Sequence, residues 1–220
     1  MQKGMVIPCI IKAKKSMEDK KELFSKIKRD MEDFMGWCWW EKATLMAELI
    51  VEKNCQEIVE LGIYGGRSLA PMAMACQFKG SGKVTGIDAW SASAALEGKN
   101  HPSNDEWWSS RANLNEVYNQ FVRGIQKHNL GNWCAWHKMK SLEAVDLFKE
   151  ASIDFMHQDS NHSEEVSCEE INRWWGKVRQ GALWVLDDSD WPTNQRAIAI
   201  LNQSCNKVLY HDPKFMIFQK

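Results

Sequence analysis

The 220-residue sequence lacks the patterns of several common protein classes. No Cys-x-x-Cys pair occurs, because its seven cysteines stand singly at positions 9, 38, 55, 76, 134, 168 and 205. An odd number of isolated cysteines argues against a zinc knuckle or a disulfide framework and is typical of reduced thiols in a cytoplasmic protein. The apolar stretch "MVIPCII" at residues 5–11 is too short for a membrane span and too weakly flanked for a signal peptide. We therefore predict a cytoplasmic protein with no membrane partner.

An excess of charge of one sign is also missing. The sequence has 28 basic and 29 acidic residues, and its longest basic run is "KAKK" at residues 12–15. A protein that binds nucleic acid through its phosphates needs a dense positive face, so no nucleic-acid partner is expected. A hydrophobic content of 44% with 26% charged residues is typical of a soluble globular protein.

Tryptophan, by contrast, is abundant. Several of the twelve tryptophans stand in groups, at residues 37–40, 107–108, 133–136 and 174–175. A tryptophan more often packs in a core than contacts a ligand. Trp107 and Trp108 lie in a polar segment, however, and are candidate substrate contacts.

The order of sequence patterns predicts an α/β fold. Apolar residues spaced by three and four predict helices in a helical extension over residues 1–42. Residues 43–220 form the predicted main domain, in which strands alternate with helices until two final strands are joined by a turn at Asp212 and Pro213. This order predicts a doubly wound, mostly parallel seven-stranded sheet with an antiparallel last strand. The predicted strands are 57–62, 82–90, 133–139, 153–159, 181–188, 206–212 and 214–219.

The stretch "EIVELGIYGGRS" at residues 57–68 places a glycine loop between a strand and a helix. Glycines let the backbone turn sharply and approach a ligand, and the amides of the helix N-terminus are free to donate to it. The loop lacks the Gly-x-Gly-x-x-Gly spacing of dinucleotide-binding proteins and has no phosphate-binding lysine. Asp88, which ends the next strand, can accept two hydrogen bonds from a vicinal diol. Both features suit a nucleoside with an amino-acid tail.

"VELGIYGGRS" followed by "VTGIDAW" resembles the first two motifs of class I S-adenosylmethionine-dependent methyltransferases. The resemblance implies their sheet, which ends in an antiparallel hairpin, and S-adenosylmethionine as cofactor. It implies that an acid and the glycine loop hold the methionine part, that Asp88 binds the ribose, and that residues beyond Asp88 and after the fourth strand flank adenine. The cofactor-binding residues are then Glu60, Gly62, Tyr64, Gly65, Gly66, Ser68, Asp88, Ala89, Trp90, Ser141 and Asp159.

Acidic residues follow two strands predicted to be neighbours. "LWVLDDSD" at residues 183–190 ends in three carboxylates, and "DFMHQDSNHSEE" at 154–165 contributes Asp159. Carboxylates that meet at one sheet edge repel one another unless a cation or hydrogen-bond donors offset their charge. We therefore predict that Asp159, Asp187 and Asp188 bind a divalent metal such as Mg²⁺.

These two stretches resemble those of the sugar and macrolide O-methyltransferases, in which an Asp-Gly-Asp-His stretch and a later Asp-Asp supply the metal ligands and a base. Here the first stretch reads "DSNH", with Asn161 in the place of the second aspartate. His162 becomes the first candidate for the catalytic base and Asp159 the second. Two alternatives remain open: Asp187 and Asp188 cap the following helix without metal, or residues 159–170 form a calcium loop, which lacks glycine at Glu164.

The insertion, residues 91–113, is long, polar and aromatic, as expected of a lid or substrate loop. Tryptophan faces stack on sugar rings, so the predicted function is a metal-assisted O-methyltransferase of a sugar or glycosylated small molecule. Two alternatives are a metal-free methyltransferase of a phenolic or other small metabolite, and a non-catalytic S-adenosylmethionine-binding protein. The predicted partner is a small-molecule substrate, and a homo-oligomer is possible.

Overall fold

The computed structural model describes residues 16–220. Predictions on the apolar stretch at 5–11, the basic run at 12–15 and Cys9 lie outside the described residues. The six described cysteines are free thiols, and five of them are buried. None of the described helices is long and apolar enough to cross a membrane.

The sheet has seven strands in the order β3-β2-β1-β4-β5-β7-β6. The first five strands are parallel, whereas β7 runs antiparallel to both β5 and β6. The predicted sheet is therefore confirmed, with strand bounds that differ from the prediction by one to three residues. The strands are β1 (Glu57–Leu61), β2 (Lys83–Asp88), β3 (Cys134–Lys138), β4 (Ile153–Gln158), β5 (Val178–Asp187), β6 (Lys207–His211) and β7 (Phe215–Gln219).

Helices cover both faces of the sheet and bury one hydrophobic cluster on each. The six residues of the central strand β4 are all buried because both faces of the strand are covered, although Asp154, His157 and Gln158 are polar. On one face lie α1 (Met17–Asp30), α2 (Trp40–Glu52), α3 (Leu69–Lys79) and α6 (Leu114–Lys127). On the other lie α7 (Ser141–Ala144), α8 (Glu164–Trp174) and α9 (Gln195–Ser204).

The described part of the N-terminal extension packs into the first of these clusters. Helix α1 begins at a capping box, in which Asp19 N donates to Ser16 Oγ over 3.1 Å and Ser16 N donates to Asp19 Oδ2 over 2.8 Å. Its apolar side buries Leu23 and Ile27 in the cluster that also contains the sheet residue Ile58. Helix α2 crosses the predicted boundary at residue 42. The division into extension and main domain stays a prediction.

Two segments differ from their predicted structure. The stretch "SLEAVDLFKEA" at residues 141–151 predicts one helix, whereas the structure has a single turn, α7, and then a 3₁₀ turn at Val145–Leu147. The helical conformation ends there because the backbone of Phe148 is extended. The insertion predicted as a loop contains α4 (Ala92–Ala95) and α5 (Pro102–Ser110). Helix α5 begins at His101, whose ring accepts from Ser103 N, with Pro102 in its first turn.

Candidate active site

A cavity of about 780 Å³ opens at the carboxyl ends of the parallel strands. This edge of a doubly wound sheet is where ligands bind in proteins of this architecture. The cavity is lined by the ends of β1, β2, β4 and β5, by α7, and by the insertion. Eleven of the residues predicted for the site line the cavity: Gly62, Tyr64, Ser68, Asp88, Ala89, Trp90, Ser141, Asp159, His162, Asp187 and Asp188.

Gly62 brings the end of β1 against the end of β4. Its backbone has a φ of +85°, and a Cβ atom built there would lie 1.9 Å from the carbonyl oxygen of Asp159. The two strand ends are also joined by a 2.8 Å hydrogen bond from Asp159 N to Leu61 O. Only glycine allows both this conformation and this approach. Gly62 therefore fixes the distance between the glycine loop, residues 62–68, and the acidic residue that follows β4.

Asp88 organises the glycine loop from the end of β2. Its Oδ2 accepts hydrogen bonds from Ile63 N and Tyr64 N, each 2.8 Å long, and its Oδ1 accepts one of 2.6 Å from Trp90 N. Burial raises the pKa of Asp88, although these three backbone donors oppose the shift. Since a carboxylate offers about four lone-pair sites, one site remains for a ligand hydroxyl.

Three of the predicted cofactor-binding residues do not line the cavity. Glu60 is fully buried within β1, where its Oε1 accepts a 2.8 Å hydrogen bond from His157 Nδ1. A Cβ atom on Gly65 would lie 2.5 Å from Cβ of Met35, and one on Gly66 would lie 2.5 Å from the ring of Phe121. The prediction of direct ligand contact is corrected for these three residues: the two glycines permit close packing beneath the loop, and Glu60 orients a histidine.

A buried network lies beneath the part of the cavity that Ser141 and Ser160 line. Glu170 on α8 is fully buried, and its Oε1 accepts hydrogen bonds from the hydroxyls of Ser141 and Ser160. Its Oε2 accepts a 2.9 Å bond from Gln158 Nε2, and burial raises its pKa. The calcium-loop alternative is wrong, because Glu170 is held by three side-chain donors inside the protein.

The acidic cluster, Asp159, Asp187 and Asp188, forms as predicted but contains a residue that the prediction missed. The ammonium group of Lys42, a fully buried side chain of α2, contacts Oδ2 of Asp187. Burial opposes the ionisation of Asp187, but Lys42 outweighs it and lowers the pKa of Asp187 to about 2. Burial and the neighbouring charge of Asp187 raise the pKa of Asp159 well above its usual value. A hydrogen bond also joins the carboxyl groups of Asp159 and Asp187.

His162 pairs with the third acid of the cluster. Its Nδ1 donates to the carbonyl oxygen of Ser160 over 2.9 Å, and its Nε2 contacts Oδ2 of Asp188. Burial opposes protonation of the imidazole, but the hydrogen bond with Asp188 outweighs it and raises the pKa of His162. Both ring nitrogens face acceptors, so the doubly protonated ring is the form that can donate to both of them. The helix-capping alternative for Asp187 and Asp188 is wrong, since their carboxylates pair with Lys42 and His162.

Asn161, the departure from the family pattern, anchors the insertion. Its Nδ2 donates to the carbonyl oxygens of Ala94, Ala95 and Glu97 over 2.9, 3.2 and 3.0 Å. Its Oδ1 accepts a 2.8 Å bond from Ser163 N. An aspartate has no N–H group to donate to these carbonyls. Asn161 therefore holds α4 over the cavity and leaves the role of base to another residue.

Aromatic rings form one wall of the cavity. The ring of Trp37 stacks on Tyr64 at 4.9 Å and meets Trp107 edge-on at 5.0 Å. Trp108 meets Trp107 at 4.9 Å and Tyr64 at 5.7 Å. These rings do not belong to a closed core. Trp37 lines the cavity with 64% of its surface exposed, so this wall faces the cavity and solvent. Trp107 and Trp108 line the cavity, and their contact with a substrate stays a prediction.

Whether the acidic cluster fits a divalent metal depends on what its carboxylates already contact. Two groups of described residues have ligand atoms within 4.8 Å of one another, namely His157, Asp159 and Asp187, and Asp159, His162 and Asp188. In the first group Asp187 already contacts an ammonium, and in the second Asp188 already contacts a protonated imidazole. Each partner offsets charge that a metal would offset. The arrangement does not fit the predicted ion on Asp159, Asp187 and Asp188.

Lys42 could have been found from the sequence. It lies four residues before Met46 and eight before Ile50, and both of these side chains are fully buried on the inner face of α2. A lysine at an inward position of an amphipathic helix needs a buried acidic partner. The two consecutive aspartates at 187 and 188 were the available partners. Glu170 and Ser160, in contrast, carry no such local signal.

The chain was compared with known proteins. A family model described as "Methyltransferase domain" matches residues 59–189, more than half of the chain. No curated protein matches the sequence.

Among solved structures, cofactor-bound Rv0187 from MTB has a TM-score of 0.62 at 11% identity, covering 91% of this chain and 88% of its own. The O-methyltransferase TomG from Streptomyces achromogenes, in complex with SAM, has a TM-score of 0.59 at 14% identity, covering 93% and 90%. The O-methyltransferase from Bacillus cereus, in complex with SAH, has a TM-score of 0.56 at 13% identity, covering 96% and 94%. At these identities the structures show a shared fold.

The family match spans the glycine loop, Asp88 and the acidic cluster, which are the features that line the cavity. The chain therefore belongs to the methyltransferase family that this model describes, and is a class I S-adenosylmethionine-dependent methyltransferase, as its first two motifs predict.

Proposed function

We propose that the protein transfers a methyl group from S-adenosylmethionine to a hydroxyl oxygen of a small molecule. The observation that carries the proposal is the meeting of two groups in one cavity: the loop held by Asp88, and the cluster of His162 with its acids. A nucleoside site beside a proton acceptor is what oxygen methylation requires. TomG and the Bacillus cereus enzyme are O-methyltransferases by description and share the fold, which supports the same reaction here.

The residues of this chain have separate tasks in the proposed reaction. The cofactor supplies an electrophilic methyl group on sulfur, and the acceptor oxygen forms a bond to that methyl carbon as the carbon–sulfur bond breaks. Gly62 and Asp88 orient the cofactor, and the wall of Trp37 and Trp107 orients the acceptor. His162 takes the hydroxyl proton at Nε2 after it has lost the proton that it shares with Asp188. Holding the two reactants in line contributes through proximity.

The cavity wall and the overall charge balance favour an acceptor that has a flat face and no strong charge. Exposed tryptophan rings stack on the flat faces of sugars and on planar aromatic rings, so they support the predicted carbohydrate acceptor and the phenolic alternative alike. The near balance of charges supports an acceptor without strong charge. Magnesium assistance stays a prediction, and the contacts of Asp187 with Lys42 and of Asp188 with His162 argue against it.

Calorimetric titration with S-adenosylhomocysteine tests the nucleoside site. We expect the wild type to bind it and Gly62→Ala to lose at least tenfold in affinity, because the added Cβ collides with the backbone of Asp159. Gly131→Ala is the matched control, since a Cβ there meets nothing within 4 Å. Failure of the folded wild type to bind would contradict the proposal.

Incubation with S-adenosylmethionine and a panel of acceptors tests the reaction. Mass spectrometry should detect one added methyl group on a sugar or phenolic hydroxyl and none on the corresponding methyl ether. Binding of the cofactor without turnover on either class of acceptor would instead support the non-catalytic alternative.

A further inference from the structure

Lys42 is a buried charge whose role the mechanism above leaves unexplained. None of its side chain is exposed, and its ammonium group lies 5.9 Å from the ring centre of Trp39 and 5.5 Å from that of Phe215. Burying a charge is unfavourable unless a partner compensates it. That partner is Asp187, whose side chain is only 13% exposed and lies at the floor of the cavity. The lysine is therefore tied to the acidic cluster and not to the protein surface.

A second buried group also faces Asp187. His157 is fully buried, and its Nδ1 is held by Glu60. Its Nε2 has no hydrogen-bond partner among residues 16–220 and lies 3.9 Å from Oδ2 of Asp187. Asp187 is thus approached by an ammonium from α2 and by an imidazole nitrogen from β4. These groups crowd the oxygen that a metal ion would need, and an ion of two charges would meet the fixed positive charge of Lys42.

We propose that Lys42 supplies the positive charge of this site, and that its ammonium group occupies the place beside Asp187 that a bound divalent ion would need. Lys42 acts as a positioning residue. It holds the carboxylate of Asp187, which in turn holds Asp159 by a hydrogen bond. Asp188 and His162 are left to face the acceptor. The inference rests on the proposed methyl transfer only for its activity readout.

Titration with Mn²⁺, followed by electron paramagnetic resonance, tests the inference without any need for turnover. The full-length wild type should leave Mn²⁺ free in solution at concentrations at which a stoichiometric site would fill. Lys42→Met keeps the length of the side chain and removes its charge, so Mn²⁺ affinity should rise by about tenfold or more. Adding Asp187→Asn to that variant should abolish the gain. Lys21→Met, at an exposed lysine of α1, is the matched control and should change nothing.

If Lys42→Met does not fold, metal binding and activity of the wild-type protein still test the inference. Methyl transfer should then be unchanged in excess EDTA, with Mn²⁺ still unbound. Stoichiometric Mn²⁺ binding by the wild type that Asp187→Asn or Asp188→Asn removes would overturn the inference, as would loss of activity in EDTA that Mg²⁺ restores. Absence of methyl transfer with every acceptor would count against the proposed function and would leave the metal titration intact as a test of Lys42.

Discussion

At the scale of single residues, the pair of His162 and Asp188 determines when the proposed base can act. His162 can accept a proton only after it loses the one that it shares with Asp188. Because this hydrogen bond raises the pKa of His162, the proportion of active base grows as pH rises through a value above the usual 6.5. The reaction should therefore be slow in mild acid and faster in mild base.

Profiles of kcat/KM against pH test this expectation. The wild type should show a rising limb above the usual histidine range. In Asp188→Asn the limb should move to lower pH, because the anion that stabilises the imidazolium is gone. His162→Ala should lose about 10²- to 10⁴-fold in rate, the usual contribution of a general base. His137→Ala, on the exposed part of β3, should keep the wild-type profile. A limb that does not move in Asp188→Asn would contradict the assignment of His162.

Some of these residues could be predicted and others could not, for a physical reason. Asp88, Asp159 and Asp187 follow buried strands, and strands of a parallel sheet deliver the residues at their carboxyl ends to one edge. Glu60, two residues before Gly62, is buried within the sheet, whereas Gly62 lines the cavity. The motif that contains both residues does not distinguish these two environments. Its burial depends on His157 in the neighbouring strand, 97 residues away.

At the scale of elements, the N-terminal segment, residues 31–38, is fastened to the glycine loop by one side chain. Arg67 donates to the carbonyl oxygens of Cys38, Met31 and Phe34 over 2.9, 3.3 and 3.2 Å. It also pairs with Glu32 at 2.6 Å. Residues 35–38 and Arg67 also line the cavity, so the segment supports the loop beside the cavity. Weakening this support should loosen the proposed nucleoside site.

Replacing Arg67 by Ala should lower the free energy of unfolding by about 3 kcal/mol, since it leaves several carbonyl groups without their charged donor. Affinity for S-adenosylhomocysteine should fall as well. Arg123→Ala removes an arginine from an exposed pair with Glu116 and is the control, with a change within about 0.5 kcal/mol. Urea denaturation and calorimetry measure both quantities. Equal stabilities of the two variants would show that Arg67 does not fasten the segment.

The elements themselves were largely predictable. Alternation of apolar strands with amphipathic helices indicated all seven strands, since each signal lies within a short window. The turn after residue 144 and the helices of the insertion were not predicted. They depend on distant partners, such as the amide of Asn161 that holds the carbonyls of α4.

At the scale of the whole molecule, the N-terminal helices and the sheet share one hydrophobic cluster. We expect them to unfold together. Ile27→Ala in α1, at a fully buried position, should lower the free energy of unfolding by about 2–5 kcal/mol and move a single transition. Met17→Ala, at a position of the same helix that is 72% exposed, should change it by less than about 0.5 kcal/mol.

Thermal unfolding followed by near- and far-ultraviolet circular dichroism makes the comparison. A separate early transition that only Ile27→Ala shifts would show that the predicted extension over residues 1–42 is an independent unit. The sequence alone does not predict whether the extension unfolds independently. The amphipathic pattern of α1 indicates that one face of the helix is buried, but it does not indicate which element covers that face.

The contact between Lys42 and Asp187 joins residues that are 145 positions apart in the chain. At a synthesis rate of about 5 to 20 residues per second, the lysine emerges from the ribosome roughly 7 to 30 seconds before its partner. Until then its ammonium group remains hydrated, and α2 cannot seat itself permanently on the growing sheet. The acidic cluster can therefore form only after Asp187 has been made, when five of the seven strands of the sheet have already been synthesised.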